Sequence, residues 1–173
     1  MSAFLNRFAI PFVGLKEGTH NFDYEITDLF FESFELSEIK KGNLMAAVVL
    51  EKQAGMLTLK FSISGVISIE CDICLDEIIF PLTTSAVLFV KSGNEYVEET
   101  DEIIVIPSSS NEINVAQYIY EYIHLALPIR RVHPQDNDGN STCNADMLKQ
   151  LQKLNVRNSE NAAWDALKNL NIN

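Results

Sequence analysis

The stretch LMAAVVLEKQAGMLTLKFSIS, residues 44–64, decides the fold. Apolar and polar residues alternate with period two around Gln53-Ala54-Gly55, and a short glycine-bearing break between two such runs marks an antiparallel hairpin. The alternation spreads outward from Phe22 to Ile106, broken at short intervals by Gly, Asn and Ser. It predicts strands over Phe22–Ile26, Leu44–Glu51, Met56–Ser64, Val66–Cys71, Glu77–Val90 and Ile103–Ile106, with Pro81 at an edge or bulge. Lys41-Gly42-Asn43 reads as a further hairpin loop. Ser92-Gly93-Asn94 closes the long strand before an acidic, solvated loop from Glu95 to Glu102.

The pattern changes at the polar run Pro107-Ser108-Ser109-Ser110-Asn111. Asn114 is placed to cap a helix reciprocally with Gln117, and Val115, Tyr118, Ile119, Tyr122, Ile123 and Ala126 recur on one face until Pro128 ends it. A second helix is expected over Asn144–Leu154 and a third over Ala162–Leu170, docked through Trp164, Leu167 and Leu170. The fold class is therefore α+β: a twisted antiparallel β-sheet or partial barrel with a long helix and a helical C-terminal arm. The division expected is a β-rich core with its closing helix over 1–128, then a basic-patch loop and helical arm over 129–173.

At 173 residues and 47% hydrophobic, the chain has material for one buried core with a helical annex. There is no signal-peptide h-region and no run of eighteen apolar residues, so a soluble, cytoplasmic protein is expected. The net charge of −11 is unevenly spread. Residues 1–110 carry seven Lys and Arg against seventeen Asp and Glu, whereas 111–173 carry six against seven. An acidic front repels nucleic acid, whose binding rests on cations aimed at phosphates, and suits a basic partner or plain solubility.

Cys71 and Cys74 form a C-x2-C between predicted strands, where a tight turn aims both sulfurs at one point. Structural zinc needs four ligands. Cys143 is the remaining thiol and His133 the best-placed nitrogen, so Cys71, Cys74, His133 and Cys143 form a candidate zinc site; His124 is a poorer choice inside a helix. The bland alternative is a set of partly buried free thiols, and a thioredoxin-type redox pair is disfavoured because the flanks read as strands.

From Ile129 to Arg157 five basic residues stand against three acidic ones. Arg130, Arg131, Lys149 and Lys153 are thus the candidate contacts to RNA or a partner, although cations near helix C-termini are ordinary. The run from Pro134 to Asn140 imitates the start of a calcium loop, but the twelfth position from Asp136 is Met147, so a turn is the better reading. Among Tyr118, Tyr120 and Tyr122, the first and last share the apolar face while Tyr120 points away; Phe30, Phe31 and Phe34 read as strand or sheet-packing residues. No catalytic motif is present, and a non-enzymatic protein is expected.

Several stretches together resemble the YceD-like family of large ribosomal RNA accumulation proteins, particularly the form found in Bacteroidetes: Phe12-Val13-Gly14-Leu15-Lys16-Glu17-Gly18, Phe30-Phe31, Glu51-Lys52-Gln53, Cys71-Asp72-Ile73-Cys74-Leu75, and Tyr120-Glu121-Tyr122 with Leu127-Pro128-Ile129-Arg130-Arg131-Val132-His133-Pro134. The chain departs from the pattern in Ile73, where the family often has Arg, and in holding only His133 and Cys143 where many members have a second cysteine-rich cluster. The resemblance implies a ribosome biogenesis factor supporting large-subunit rRNA accumulation. Its partner would be precursor RNA or a small basic ribosomal protein, whose gene many family genes neighbour. A zinc-stabilised adaptor unrelated to ribosomes is the competing class.

Overall fold

Alternating side chains make a strand two-faced, and a sheet so built must cover its apolar face. In a computed structural model, which describes residues 3–157, that cover comes from short helices. The chain forms two compact units, one of residues up to 69 with 79–129, the other of 70–78 with 130 onward.

In the first unit, a 3-10 helix (Ala3–Phe8) leads into β1 (Ala9–Pro11), then β2 (Gly18–Ile26), α1 (Asp28–Glu32), β3 (Lys41–Gln53) and β4 (Met56–Glu70). β5 (Glu77–Gly93), β6 (Val97–Thr100), β7 (Ile103–Pro107), β8 (Glu112–Asn114) and α2 (Ala116–Leu125) follow. β1 pairs with β8, and the other six strands form one sheet in the order β2-β3-β4-β5-β7-β6. Leu44, Ala46, Val48 and Leu50 of β3 and Leu59, Phe61 and Ile63 of β4 are all buried, as the period-two pattern requires. On that face Phe61 meets Tyr122 of α2 edge-on at 5.1 Å, while Phe8, Tyr24, Phe30 and Phe34 form a continuous aromatic cluster.

The Ala54-Gly55 connection between β3 and β4 is the expected hairpin, with Gly55 at φ +79°. Other expectations are corrected. Lys41-Gly42-Asn43 is no turn but the start of β3, paired with Ser68, Ile67 and Val66. The two strands expected over 56–64 and 66–71 are one, because Gly65, at φ +153°, stays paired with Leu44. A Cβ there would sit 2.3 Å from the Asn43 carbonyl oxygen, so the glycine serves close backbone approach within a strand.

The acidic stretch expected as a loop holds β6, exposed throughout yet paired with β7. β7 lies between β6 and β5 and runs parallel to β5, so the sheet is mixed, with one parallel pair. It is open: β2 and β6 are its edges, and no barrel forms. Phe30 and Phe31 pack as expected but from α1, a helical turn, not from a strand.

The helix after Pro107 forms, at ten residues, but the reciprocal Asn114–Gln117 cap does not. The Asn114 side chain instead accepts from the Ala116 amide at 2.9 Å and donates to the Leu5 carbonyl, while Gln117 donates to Glu121. Tyr120 does not point away: its ring stacks on Phe34 at 4.0 Å. The second unit contains α3 (Ala145–Arg157), close to the expected second helix; the third, Ala162–Leu170, lies outside the described residues.

Candidate metal centre

The six residues that join β4 to β5, Cys71 to Asp76, form a tight knuckle. The Cys71 amide donates to the Asp76 carbonyl at 2.9 Å and the Leu75 amide to the Cys71 carbonyl at 3.0 Å. Closing so short a turn puts Leu75 at φ +63°, the left-handed region that glycine adopts without penalty. The Ile73 amide points at the Cys71 sulfur, 3.4 Å away.

The rest of the second unit is latched to this knuckle by backbone. The Asp72 amide donates to the Arg131 carbonyl, and the Arg131 amide donates to the Asp72 carboxylate, each at 2.7 Å. Farther on, Asp136 to Asn140 make a closed turn: the Asp136 carboxylate accepts the amides of Asp138 and Asn140, with Gly139 at φ +82°. These bonds, the Asn140 amide foremost, hold the Asp136 carboxyl below its ordinary range. The would-be calcium ligand is thus engaged in its own turn. The turn returns the chain so that Thr142 donates to the Pro134 carbonyl and Asn144 to Asp76, and Cys143 lands beside His133.

All four residues expected as zinc ligands come together. The ligand atoms of Cys71, Cys74, His133 and Cys143 lie within 4.8 Å of one another. The sulfurs of Cys71 and Cys143 are 3.7 Å apart, and His133 Nδ1 is 3.4 Å from the Cys74 sulfur and 3.7 Å from that of Cys143. No disulfide joins them. Around a tetrahedral ion with Zn–S near ~2.3 Å and Zn–N near ~2.0 Å, neighbouring ligand atoms stand roughly 3.5–3.8 Å apart, so these three separations fit the edges of such a tetrahedron.

The electrostatics differ from ligand to ligand, and a cation entering the set must displace the protons that Cys74 and His133 hold. Burial pushes the Cys71 thiol up, but hydrogen bonds from the Cys74 and Ile73 amides and from His133 outweigh it and bring it to about 6. Burial holds the Cys74 thiol above its usual value, and the neighbouring Cys71 and Cys143 thiols hold the His133 imidazolium up. Four protein donors close a tetrahedral sphere and leave no position for substrate, which is the arrangement of a structural metal.

The expected partner contacts are spread over two elements. Arg130 is exposed in the segment entering the unit, next to Arg131, whose backbone holds Asp72. Lys149 and Lys153 are exposed one turn apart on α3, where Lys149 pairs with Asp146 at 3.2 Å. Composition along the chain missed the acids that folding adds to this unit: Glu70, Asp72, Asp76 and Glu77 arrive from the middle of the sequence. The signal was present in the acids within and beside the cysteine pair, which lie in the earlier part of the chain.

The family model described as large ribosomal RNA subunit accumulation protein YceD matches residues 59–171, the greater part of the chain. The chain belongs to the YceD family. The matched stretch begins within β4 and takes in the knuckle, α2 and every ligand of the candidate centre. No curated protein and no solved structure matches this YceD-family chain. Among its described residues, no helix is long and apolar enough to cross a membrane.

Proposed function

We propose that this YceD-family chain supports large-subunit rRNA accumulation in the cytoplasm by binding, without catalysis, and that its direct partner is a basic ribosomal protein. The observation that carries this reading is the charge of the folded units. The first unit holds seven Lys and Arg against fifteen Asp and Glu, a net −8. The second, counted over 70–78 and 130–157, holds five against seven, a net −2. The local positive charge of 129–157 disappears once the acidic knuckle folds into the same unit. A zinc ion held by three thiolates and an imidazole leaves a further −1, so the second unit stays anionic. Non-specific RNA affinity needs several phosphate-directed cations that neither unit concentrates, whereas unassembled ribosomal proteins are basic.

Zinc held by Cys71, Cys74, His133 and Cys143 would brace the second unit. Direct contact with precursor RNA through Arg130, Arg131, Lys149 and Lys153 is the second reading, supported by the exposure of Arg130, Lys149 and Lys153. A pull-down of the full chain at moderate salt, with and without ribonuclease, separates the two. Retention of one small basic protein after ribonuclease is the expected result. Loss of every partner after ribonuclease supports the RNA contact instead. Depletion of the protein should lower large-subunit rRNA relative to small-subunit rRNA; an unchanged ratio overturns the assignment.

A further inference from the structure

An open groove of ≈ 970 Å³ in the first unit runs between β5, the β6–β7 edge and α2. Five carboxylates line it, Glu98, Glu99, Asp101 and Glu102 from the edge and Glu121 from α2, and among the described residues no Lys or Arg does. Like charges so gathered repel unless a cation joins them, and the structure contains one small example: Lys91 of β5 reaches Glu99 at 2.7 Å. The wall between the carboxylates is aromatic, formed by Tyr118, Tyr120 and Tyr122. Aromatic faces beside carboxylates suit guanidinium and ammonium groups by cation–π attraction and ion pairing together.

A second, independent observation concerns unpartnered polar atoms. His124 and Tyr122 both line the groove, and each has a buried polar atom, Nε2 and Oη respectively, without a hydrogen-bond partner among the described residues. The other imidazole nitrogen, Nδ1, sits 2.8 Å from the Tyr120 carbonyl oxygen. A carbonyl only accepts, so Nδ1 carries a proton, and Nε2 is left without a partner among the described residues. Buried polar groups in folded proteins are almost always satisfied. Of the five carboxylates, Glu99 is paired with a cation, Lys91, while Glu98 and Glu121 accept from the neutral Tyr96 and Gln117 side chains, so the wall keeps most of its negative charge. The outer strand, β6, adds an exposed sheet edge along which an extended segment can lie.

We infer that this groove is the docking site for an extended Arg- and Lys-rich segment of a protein partner, whose cations lie along the tyrosine wall and pair with Glu98, Asp101, Glu102 and Glu121. The inference rests on the basic-protein reading above and assigns it to one surface of the first unit.

The test uses the full chain and a fluorescein-labelled dodecapeptide of alternating Arg and Lys separated by Gly and Ser, followed by anisotropy at about 0.15 M salt, where the Debye length is ~8 Å. One variant carries Glu98→Gln, Asp101→Asn, Glu102→Gln and Glu121→Gln. Its control carries Glu17→Gln, Glu25→Gln, Glu32→Gln and Glu35→Gln, an equal charge change at exposed carboxylates outside the groove. All eight side chains belong to exposed residues, and an unchanged circular dichroism spectrum confirms folding. The expected result is at least tenfold weaker binding in the groove variant and less than twofold in the control. Equal weakening in both, or no weakening in the groove variant, overturns the docking site. Neither outcome depends on the rRNA ratio after depletion, so the groove and the wider function fail separately.

Discussion

Leu75 sits at φ +63° in a knuckle closed by two backbone hydrogen bonds, and the residue is 65% exposed. A non-glycine residue in that region costs about 1–2 kcal/mol, part of which glycine returns through the entropy of the unfolded chain. Leu75→Gly should therefore stabilise the knuckle by up to ~1 kcal/mol, read as a small rise in thermal midpoint. Tyr24 and Tyr122 supply a pH signature. Burial pushes both phenols up to about 12, so the fold favours their protonated form. With an unfolded value near ~10, the contribution is whole below that pH and is lost as pH rises from about 10 towards 12. Urea midpoints should fall across that window, and Tyr122→Phe should flatten the fall; a slope unchanged in the variant would show that other groups cause it.

Among the elements, α3 has the clearest cap. The Asn144 side chain accepts from the Asp146 and Met147 amides, the second and third residues of the helix, and its own amide reaches Asp76. Asn144→Ala should cost about 1 kcal/mol locally, which is roughly fivefold faster hydrogen exchange at those two amides. Zinc content should be unaltered, because Asn144 is not a ligand. The helix expected over Asn144–Leu154 forms as α3, and its cap is a local bond between neighbours in sequence. The reciprocal Asn114–Gln117 cap does not form, because the Asn114 side-chain oxygen takes the Ala116 amide and the Gln117 side chain reaches Glu121 instead. β6 was hidden in the sequence. Its four exposed residues carry no apolar alternation, and only the position of β7 beside β5 makes a strand of them.

For the whole molecule, the consequence of a zinc site is that metal affinity is also folding free energy, confined to the unit that contains the ligands. Cys143→Ser should abolish stoichiometric zinc, measured by atomic absorption on protein purified without a chelating tag. It should also accelerate hydrogen exchange across 70–78 and 130–157 while the amides of β3 and β4 before residue 70 keep their protection. Uniform loss of protection in both units would show that the centre supports the entire fold, and unchanged exchange everywhere would show that it supports neither.

The sequence alone determined the hairpin at Ala54-Gly55, the buried face of β3 and β4, and the candidate ligands Cys71, Cys74, His133 and Cys143, which the fold brings together. Each of these follows from a period, a spacing or the scarcity of a residue type, which a linear chain displays. Tertiary structure alone decided the continuity of β4 through Gly65, the insertion of β7 beside β5, and the fate of the charges. Coulombic interaction depends on distance in space, so the basic run after Pro128 lost its excess to Glu70, Asp72, Asp76 and Glu77 from the middle of the chain, and carboxylates that looked like a solvated loop became the wall of a groove.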